Sequence, residues 1–303
     1  MTSDISQLLL PLSFGSNNMK QDKKKQRTNG QANKIDNGDR AFHDWYRFVL
    51  SYPPHLVRDY IADFGVDSSR TILDPFCGTG TTLVEAKKNG IHSIGLEANP
   101  FAHFASSVKV NWDINGDNLY SCSKEIAESA LNILIAQGIE DFSTPKIPID
   151  RIHIKTLDAE ANKLLITNSI SPLPLHKSLV LLDCINKCKA EPYYQHMLLA
   201  FADALVFKIS NLHFGPEVGV GHLKNDVPVI HTWLNEIENL VGDLKSVSEK
   251  VVGQSEVYLA DSRQISKLIP ADSIDAIITS PPYPNEKDYT RTTRLESVVL
   301  GFI

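Results

Sequence analysis

The 303-residue chain has little of what marks a secreted, membrane-spanning or metal-carrying protein. Its four cysteines, at positions 77, 122, 184 and 188, form no CxxC pair. That excludes a zinc ribbon and argues for free thiols in a reducing cytoplasm. Cys184 and Cys188 have the spacing of one helix face and read as core or surface thiols. The ten histidines lack metal-ligand spacing, so no metal is expected. No apolar run approaches the roughly 20 residues of a membrane span. The patch Leu8-Leu9-Leu10 is broken by Pro11 and has no basic residue before it, which disfavours a signal peptide. A formal net charge of −6 excludes wholesale coating of nucleic acid, so any basic surface must be local. Two phosphate loops are missing too: there is neither a G-x-G-x-x-G nor a G-x-x-x-x-G-K-[ST].

What is present is organised around Thr71 to Pro100. A short apolar run, Thr71-Ile72-Leu73, stops at Asp74, and a turn of small residues follows, Pro75-Phe76-Cys77-Gly78-Thr79-Gly80. A helix over Thr81–Lys88 is closed by Asn89-Gly90, and a second strand, His92–Leu96, ends at Glu97. This predicts strand, glycine turn, helix and strand, the first βαβ unit of an open parallel sheet. The glycines let the backbone approach a ligand where a Cβ would intrude. Glu97 follows Asp74 by 23 positions, where an acid can hold both hydroxyls of a ribose. A nucleoside-bearing cofactor is therefore expected at the carboxyl ends of these strands. Alone, such a turn can also merely join a strand to a helix.

The turn Asp74-Pro75-Phe76-Cys77-Gly78-Thr79-Gly80-Thr81 resembles the first motif of S-adenosylmethionine-dependent methyltransferases. That cofactor carries no phosphate, which suits an acid at position 74. Near the end, Ser273 to Thr279 reads as a buried strand running into Ser280-Pro281-Pro282-Tyr283. By itself this corner is an ordinary proline turn. Downstream of the glycine motif it resembles the catalytic motif of the amino-methylating DNA methyltransferases, which act on cytosine N4 or adenine N6. An exocyclic amine is a poor nucleophile because its lone pair is delocalised into the ring. A side-chain oxygen at Ser280 and the carbonyl of Pro281 can accept its two N–H groups and aim the lone pair at a sulfonium methyl. The prolines, Pro282 included, fix φ and hold those acceptors, and Tyr283 can stack on a base swung out of the duplex. The resemblance further implies that Asp74, Phe76, Gly78 and Gly80 surround the methionine part of the cofactor. Glu97 would take its ribose, and Asp261, after the strand Glu256–Ala260, its adenine.

Around these motifs the chain divides into four stretches. Residues 1–40 read as a disordered basic tail, with seven Lys/Arg against three Asp from Lys20 to Arg40, a local net of +4. Such a run can hold DNA phosphates or remain a solvated tail. Residues 41–111 read as the first part of a methyltransferase domain, the cofactor half. Its aromatic segment, Ala41–Leu50, and the Ser51-Tyr52-Pro53-Pro54 that follows resemble in position the family segment closing over the methionine end; a helix then runs from about His55 to Phe64. Residues 112–252 are predicted to be a mainly helical insert. One helix has a face of Ile126, Ala130, Ile133 and Leu134, a second spans Tyr194–Ile209, and a third carries Ile230, Trp233, Ile237, Leu240 and Leu244. Between the latter two, Asn211–Gly221 reads as a glycine-rich loop, either structural or bordering DNA. Residues 253–303 are expected to be the second part of the methyltransferase domain, with Lys287, Arg291 and Arg294 beside the catalytic corner.

The expected fold is α/β, a Rossmann-like methyltransferase sheet of about four strands, where the family has seven. The last of them, Ile274–Thr279, would be a long, unpaired apolar edge. The chain therefore reads as the amino-terminal, truncated part of a methyltransferase, with a second polypeptide or an interrupted gene accounting for the rest. The implied activity is methyl transfer from S-adenosylmethionine to an exocyclic amine of DNA, with cytosine N4 favoured by the serine of the motif. An inactive remnant or noncatalytic subunit, and an RNA or protein-amide methyltransferase, are the rival readings.

Overall fold

The computed structural model describes residues 36–142, 153–215, 217–247, 252–282 and 289–303, all within the unit Ile35–Ile303. The basic run up to residue 35, and Tyr283 and Lys287, lie outside the described residues. A strap with two short 3₁₀ turns, Asn37–Asp39 and His43–Trp45, leads into α1, Pro54–Phe64. Proline at the first helical position of α1 is pre-set for helical φ, and Gly65 closes the helix in the left-handed region. Strand β1 (Thr71–Asp74), α2 (Thr81–Lys88) and β2 (His92–Glu97) follow. Then come α3 (Pro100–Val110), α4 (Gly116–Ala136), α5 (Ala159–Leu164), α6 (Pro172–Ile185) and α7 (Tyr194–Asp203). The chain continues through the ribbon β3 (Leu212–Phe214) and β4 (Val218–Val220) to α8 (Val229–Val247). It ends with β5 (Ser255–Leu259), α9 (Ile265–Leu268), β6 (Ala276–Ile277), α10 (Tyr289–Thr292) and α11 (Arg294–Val299).

Four strands make one parallel sheet in the order β5-β2-β1-β6. Register sets Asp74 opposite Gly95 and Glu97 opposite Leu259, with Leu73 opposite Ile277. The carboxyl ends of all four strands thus share one edge, and each strand hands its next residues to that edge. Small apolar clusters seal the two faces: Val57, Ile61, Ile72 and Ala86 on one, Leu73, Leu96 and Ile269 on the other. Gly95 is buried in the middle of β2, where a Cβ would stand 2.7 Å from Leu83 Cδ1 and 2.9 Å from Cys77 Sγ. Only a hydrogen fits there.

The largest apolar cluster lies among the helices, around Leu119, Ala130, Leu181, Phe201, Trp233 and Ile237. A buried ion pair sits within it, Lys177 Nζ donating to Asp226 Oδ1 at 2.7 Å and to the Asp141 carbonyl at 3.1 Å. The Asp141 carboxylate accepts from the first-turn N–H groups of Ile230 and His231, satisfying the open end of α8.

Several expectations change. The last strand is only the two residues Ala276–Ile277, so the described edge is short, not long. Its flanks stay in line without strand geometry, Asp275 N bonding to Thr71 O and Ile278 N to Leu73 O. The stretch Asn211–Gly221 is a two-stranded antiparallel ribbon, not a loop. Helix α7 reaches only Asp203, and Ala204–Ile209 continues as a π turn. On α4 the buried face runs through Leu119, Ile126, Ala130 and Leu134, while Ile133 is exposed. Cys188 faces Cys122 at 4.0 Å from a 3₁₀ turn, off the helix that holds Cys184.

Candidate active site

The turn after β1 is held by its own backbone. Cys77 N bonds to Leu96 O at 3.0 Å and Gly80 N to Cys77 O at 2.8 Å. Both glycines sit at positive φ, Gly78 at 53° and Gly80 at 86°, where a side chain is strained. Nothing lies within 4 Å of where a Cβ on Gly78 would project, so the turn leaves open space in front of it. Gly80 opens α2 and lies against Ser106 of α3, 3.2 Å from its Cβ position.

That open space is part of a cavity of about 330 Å³ at the carboxyl edge of the sheet. Phe76, Gly78, Glu97, Asp261, Ser280, Pro281 and Pro282 all line it. Residues about two hundred positions apart therefore open onto one cleft. Asp74 and Gly80 do not line it; they stand behind its wall. Asp74 is fully buried and accepts from Phe76 N at 3.1 Å, Thr279 Oγ1 at 2.6 Å and Tyr52 OH at 3.3 Å. Burial pushes its pKa up, against the pull of those hydrogen bonds. One carboxyl group thus ties together the strap, the glycine turn and the residue before Ser280. A larger groove of about 730 Å³ lies near Trp45, Arg47, Asp203 and Asp243, and no motif residue lines it. Chemistry, not size, selects the smaller cavity.

Glu97 accepts from Gly78 N at 2.9 Å and from Asn99 N at 2.7 Å. Two backbone donors use about half of the roughly four lone-pair sites of a carboxylate, which leaves acceptors for hydroxyl groups. Burial pushes its pKa up, and the backbone hydrogen bonds oppose that. Asn99 caps α3, its Oδ1 accepting from Phe101 N at 2.9 Å and Ala102 N at 3.0 Å. At the far wall Asp261 is held by Arg263, whose Nε donates to both carboxylate oxygens at 2.9 and 3.0 Å. The Arg263 hydrogen bonds hold Asp261 low, at about 2. Ser280, Pro281 and Pro282 are exposed at the cavity mouth.

Sequence reading missed three contributors. Phe48, Leu50, Ser51 and Tyr52 line the cavity; they lie in the segment expected to close over the cofactor, though none of them is singled out by sequence as a site residue. Thr293, just before α11, also lines it and carried no signal. A network of buried charge behind the strap was invisible as well. Glu85 receives His43 Nε2 at 2.8 Å, Arg58 Nη1 at 2.7 Å and Lys88 Nζ at 3.2 Å. Burial alone would raise Glu85, but hydrogen bonding and charge from those three partners outweigh it and hold it at about 2. Burial lowers His43 to about 4, so its imidazole is neutral at neutral pH.

The sheet order, with a glycine turn after the first strand and an acid closing the second, defines an incomplete Rossmann-like methyltransferase fold. Sequence comparison narrows the class. Residues 14–106 match the family model described as DNA methylase, of the N6/N4 type. The chain is 28% identical over 285 residues to the Type II methyltransferase M.BsoBI of Geobacillus stearothermophilus, covering 89% of this chain and 54% of that protein. It is 24% identical over 294 residues to the Type II methyltransferase M.AvaI of Anabaena variabilis, covering 89% and 55%. A third relative, the Type II methyltransferase M.MjaII of Methanocaldococcus jannaschii, is 35% identical over 68 residues, covering 22% and 13%. No solved structure matches. The amino-terminal third of the chain thus resembles the amino DNA methyltransferases, and the chain spans about half the length of M.BsoBI and M.AvaI. Among the described residues no helix is long and apolar enough to cross a membrane, and no cluster of three or more His, Cys, Asp or Glu could hold a metal ion.

Proposed function

We propose that this chain carries the cofactor site and catalytic corner of a site-specific DNA methyltransferase that modifies an exocyclic amine, cytosine N4 in preference to adenine N6. The observation that carries the reading is the common cavity of Gly78, Glu97, Asp261 and Ser280. S-adenosylmethionine supplies, when bound, a methyl group on a positively charged sulfur. The residues fit it: the space before Gly78 admits a ligand where a Cβ would project, and Phe76 and the strap form an apolar wall. Glu97 has acceptor capacity for two ribose hydroxyls, and Asp261 would take an adenine amine by exchanging one of its Arg263 hydrogen bonds. Asp74 and Gly80 act on the methionine end from behind, by fixing the turn. Ser280 Oγ and the Pro281 carbonyl accept the two N–H groups of the target amine and localise its lone pair on nitrogen. The exposed corner passes the surplus proton to water, and Tyr283 stacks on the extruded base. No covalent enzyme intermediate is required; the contribution of these residues is positioning and electrostatics.

Calorimetry with S-adenosylmethionine, followed by transfer of a labelled methyl to DNA, tests this reading. Nucleoside analysis of the product reads the base: N4-methylcytosine is expected, and N6-methyladenine would reverse the preference. Label entering RNA or a protein amide in preference to DNA would replace the substrate assignment.

One observation favours a second reading, in which the chain acts as one polypeptide of a split enzyme. It spans 54–55% of its longer-matching relatives. The residue divisions 1–40, 41–111, 112–252 and 253–303 belong to this proposal. Transfer that requires the product of the adjacent downstream reading frame would establish it. Cofactor binding without transfer in either mixture would leave a noncatalytic subunit.

A further inference from the structure

The strap and the residue that precedes α11 both line the cavity, and the two segments meet at a buried hydrogen bond. Tyr46 OH donates to Glu296 Oε1 at 2.5 Å, across 250 residues of sequence. Both residues are fully buried. Two residues beyond Tyr46 the strap begins to line the cavity, with Phe48, Leu50, Ser51 and Tyr52. One helical turn before Glu296 stands Thr293, which lines the same cavity. Upstream, the strap is already anchored. Lys109 Nζ donates to the His43 and Tyr46 carbonyls at 3.3 and 3.1 Å, and Asp243 accepts from Phe42 N and Trp45 Nε1 at 2.8 and 2.9 Å.

We propose that Tyr46 and Glu296 are positioning residues whose hydrogen bond clamps the strap to α11 and fixes the spacing of the two segments that line the cofactor cavity. The inference rests on the cofactor reading of this cavity. Packing alone does not call for an acid here. The Tyr46 ring lies edge-on to Phe101 at 4.9 Å and near Phe207 at 5.7 Å, an environment that a phenylalanine and an apolar partner would fill. Burying a carboxyl group in such a place is costly unless its partner uses it. Glu296 Oε2 has no hydrogen-bond partner among the described residues, so the tyrosine hydroxyl is what Glu296 is there to meet. Burial pushes the acid up to about 7.

The test uses the full chain and calorimetric titration with S-adenosylmethionine, at urea concentrations where denaturation curves show every variant fully folded. Tyr46→Phe is expected to weaken binding about tenfold, the scale of one buried hydrogen bond to a charged or acidic group. Glu296→Ala should match it, Glu296→Gln should restore affinity to within about twofold of wild type by offering the same acceptor, and Tyr46→Phe/Glu296→Ala should be no weaker than the weaker single variant. A packing role alone would not give rescue by glutamine together with non-additivity. Unchanged affinity in Tyr46→Phe, or additive losses in the double variant, overturns the clamp while leaving the cofactor reading intact. If Glu296→Ala does not fold, Tyr46→Phe against Glu296→Gln decides alone. A wild-type chain that binds no S-adenosylmethionine removes both.

Discussion

The sheet and the helical region of this molecule are built on opposite terms. The sheet is four short strands with a thin apolar seal on each face and its polar residues gathered at one edge. The helical region, α4 with α6, α7, the π turn that extends it and α8, holds more than half of the described buried apolar side chains and none of the motif residues. Chemistry sits where packing is sparse, and rigidity comes from elsewhere. The strap joins the two, with Asp243 of α8 gripping one end and Asp74 at the end of β1 the other.

That contrast can be broken by substitution. Trp233→Ala, in the second turn of α8 and fully buried with its Nε1 bonded to the Met197 carbonyl, should cost about 3–5 kcal/mol in urea denaturation. A smaller loss than in a comparable change at the sheet would show that stability does not reside among the helices. Ser280→Ala should do the reverse. Labelled-methyl transfer falls by about 10²–10³, while stability stays within about 0.5 kcal/mol because the residue is exposed.

Glu296 stands where the two regions meet, and its titration sharpens the comparison. Its folded pKa of about 7 lies above the ordinary 4.5, so the folded chain binds the extra proton between these values. Its contribution is therefore fully present below pH 4.5 and is lost as pH rises through about 7. Relative to wild type, Glu296→Gln should gain about 3 kcal/mol of stability between pH 4.5 and pH 8. A parallel pair of stability curves would mean that the acid is not held in the protonated form. The smallest effect belongs to a helix end far from the cavity. Asn115 caps α4 by accepting from Asn118 N at 2.9 Å, and Asn115→Ala should lower stability by about 1 kcal/mol with cofactor affinity unchanged.

How much of this was legible in the sequence follows the same division. The sheet end was readable because its signals are local: an apolar run stopping at an acid, glycines that need positive φ, a proline pair after a strand. Strand order followed from the family resemblance, and β1, β2 and their turn fall where the pattern set them. The helical region was harder to read. Helix α6 is apolar on every side, with Leu173, Val180, Leu181 and Ile185 all buried, so it has no 3.6-residue period to detect. The ribbon hides in a glycine-rich stretch, and the π turn has no local signature. Least legible were the contacts that shape the cavity from behind. Asp243 on Trp45, Glu296 on Tyr46 and Asp74 on Thr279 join residues about two hundred or more positions apart, and no window of sequence contains both partners.

Gly95 carries a last consequence. The turn that presents Gly78 rests on the central strand with the thickness of one hydrogen atom as its spacer, since Cys77 and Leu83 already occupy the room for a methyl. An alanine there acts as a shim: it lifts the turn off the strand and tilts the Gly78 N–H away from Glu97 without touching any residue that meets a ligand. The depth of the cleft is thus written into a position that contributes no side chain at all.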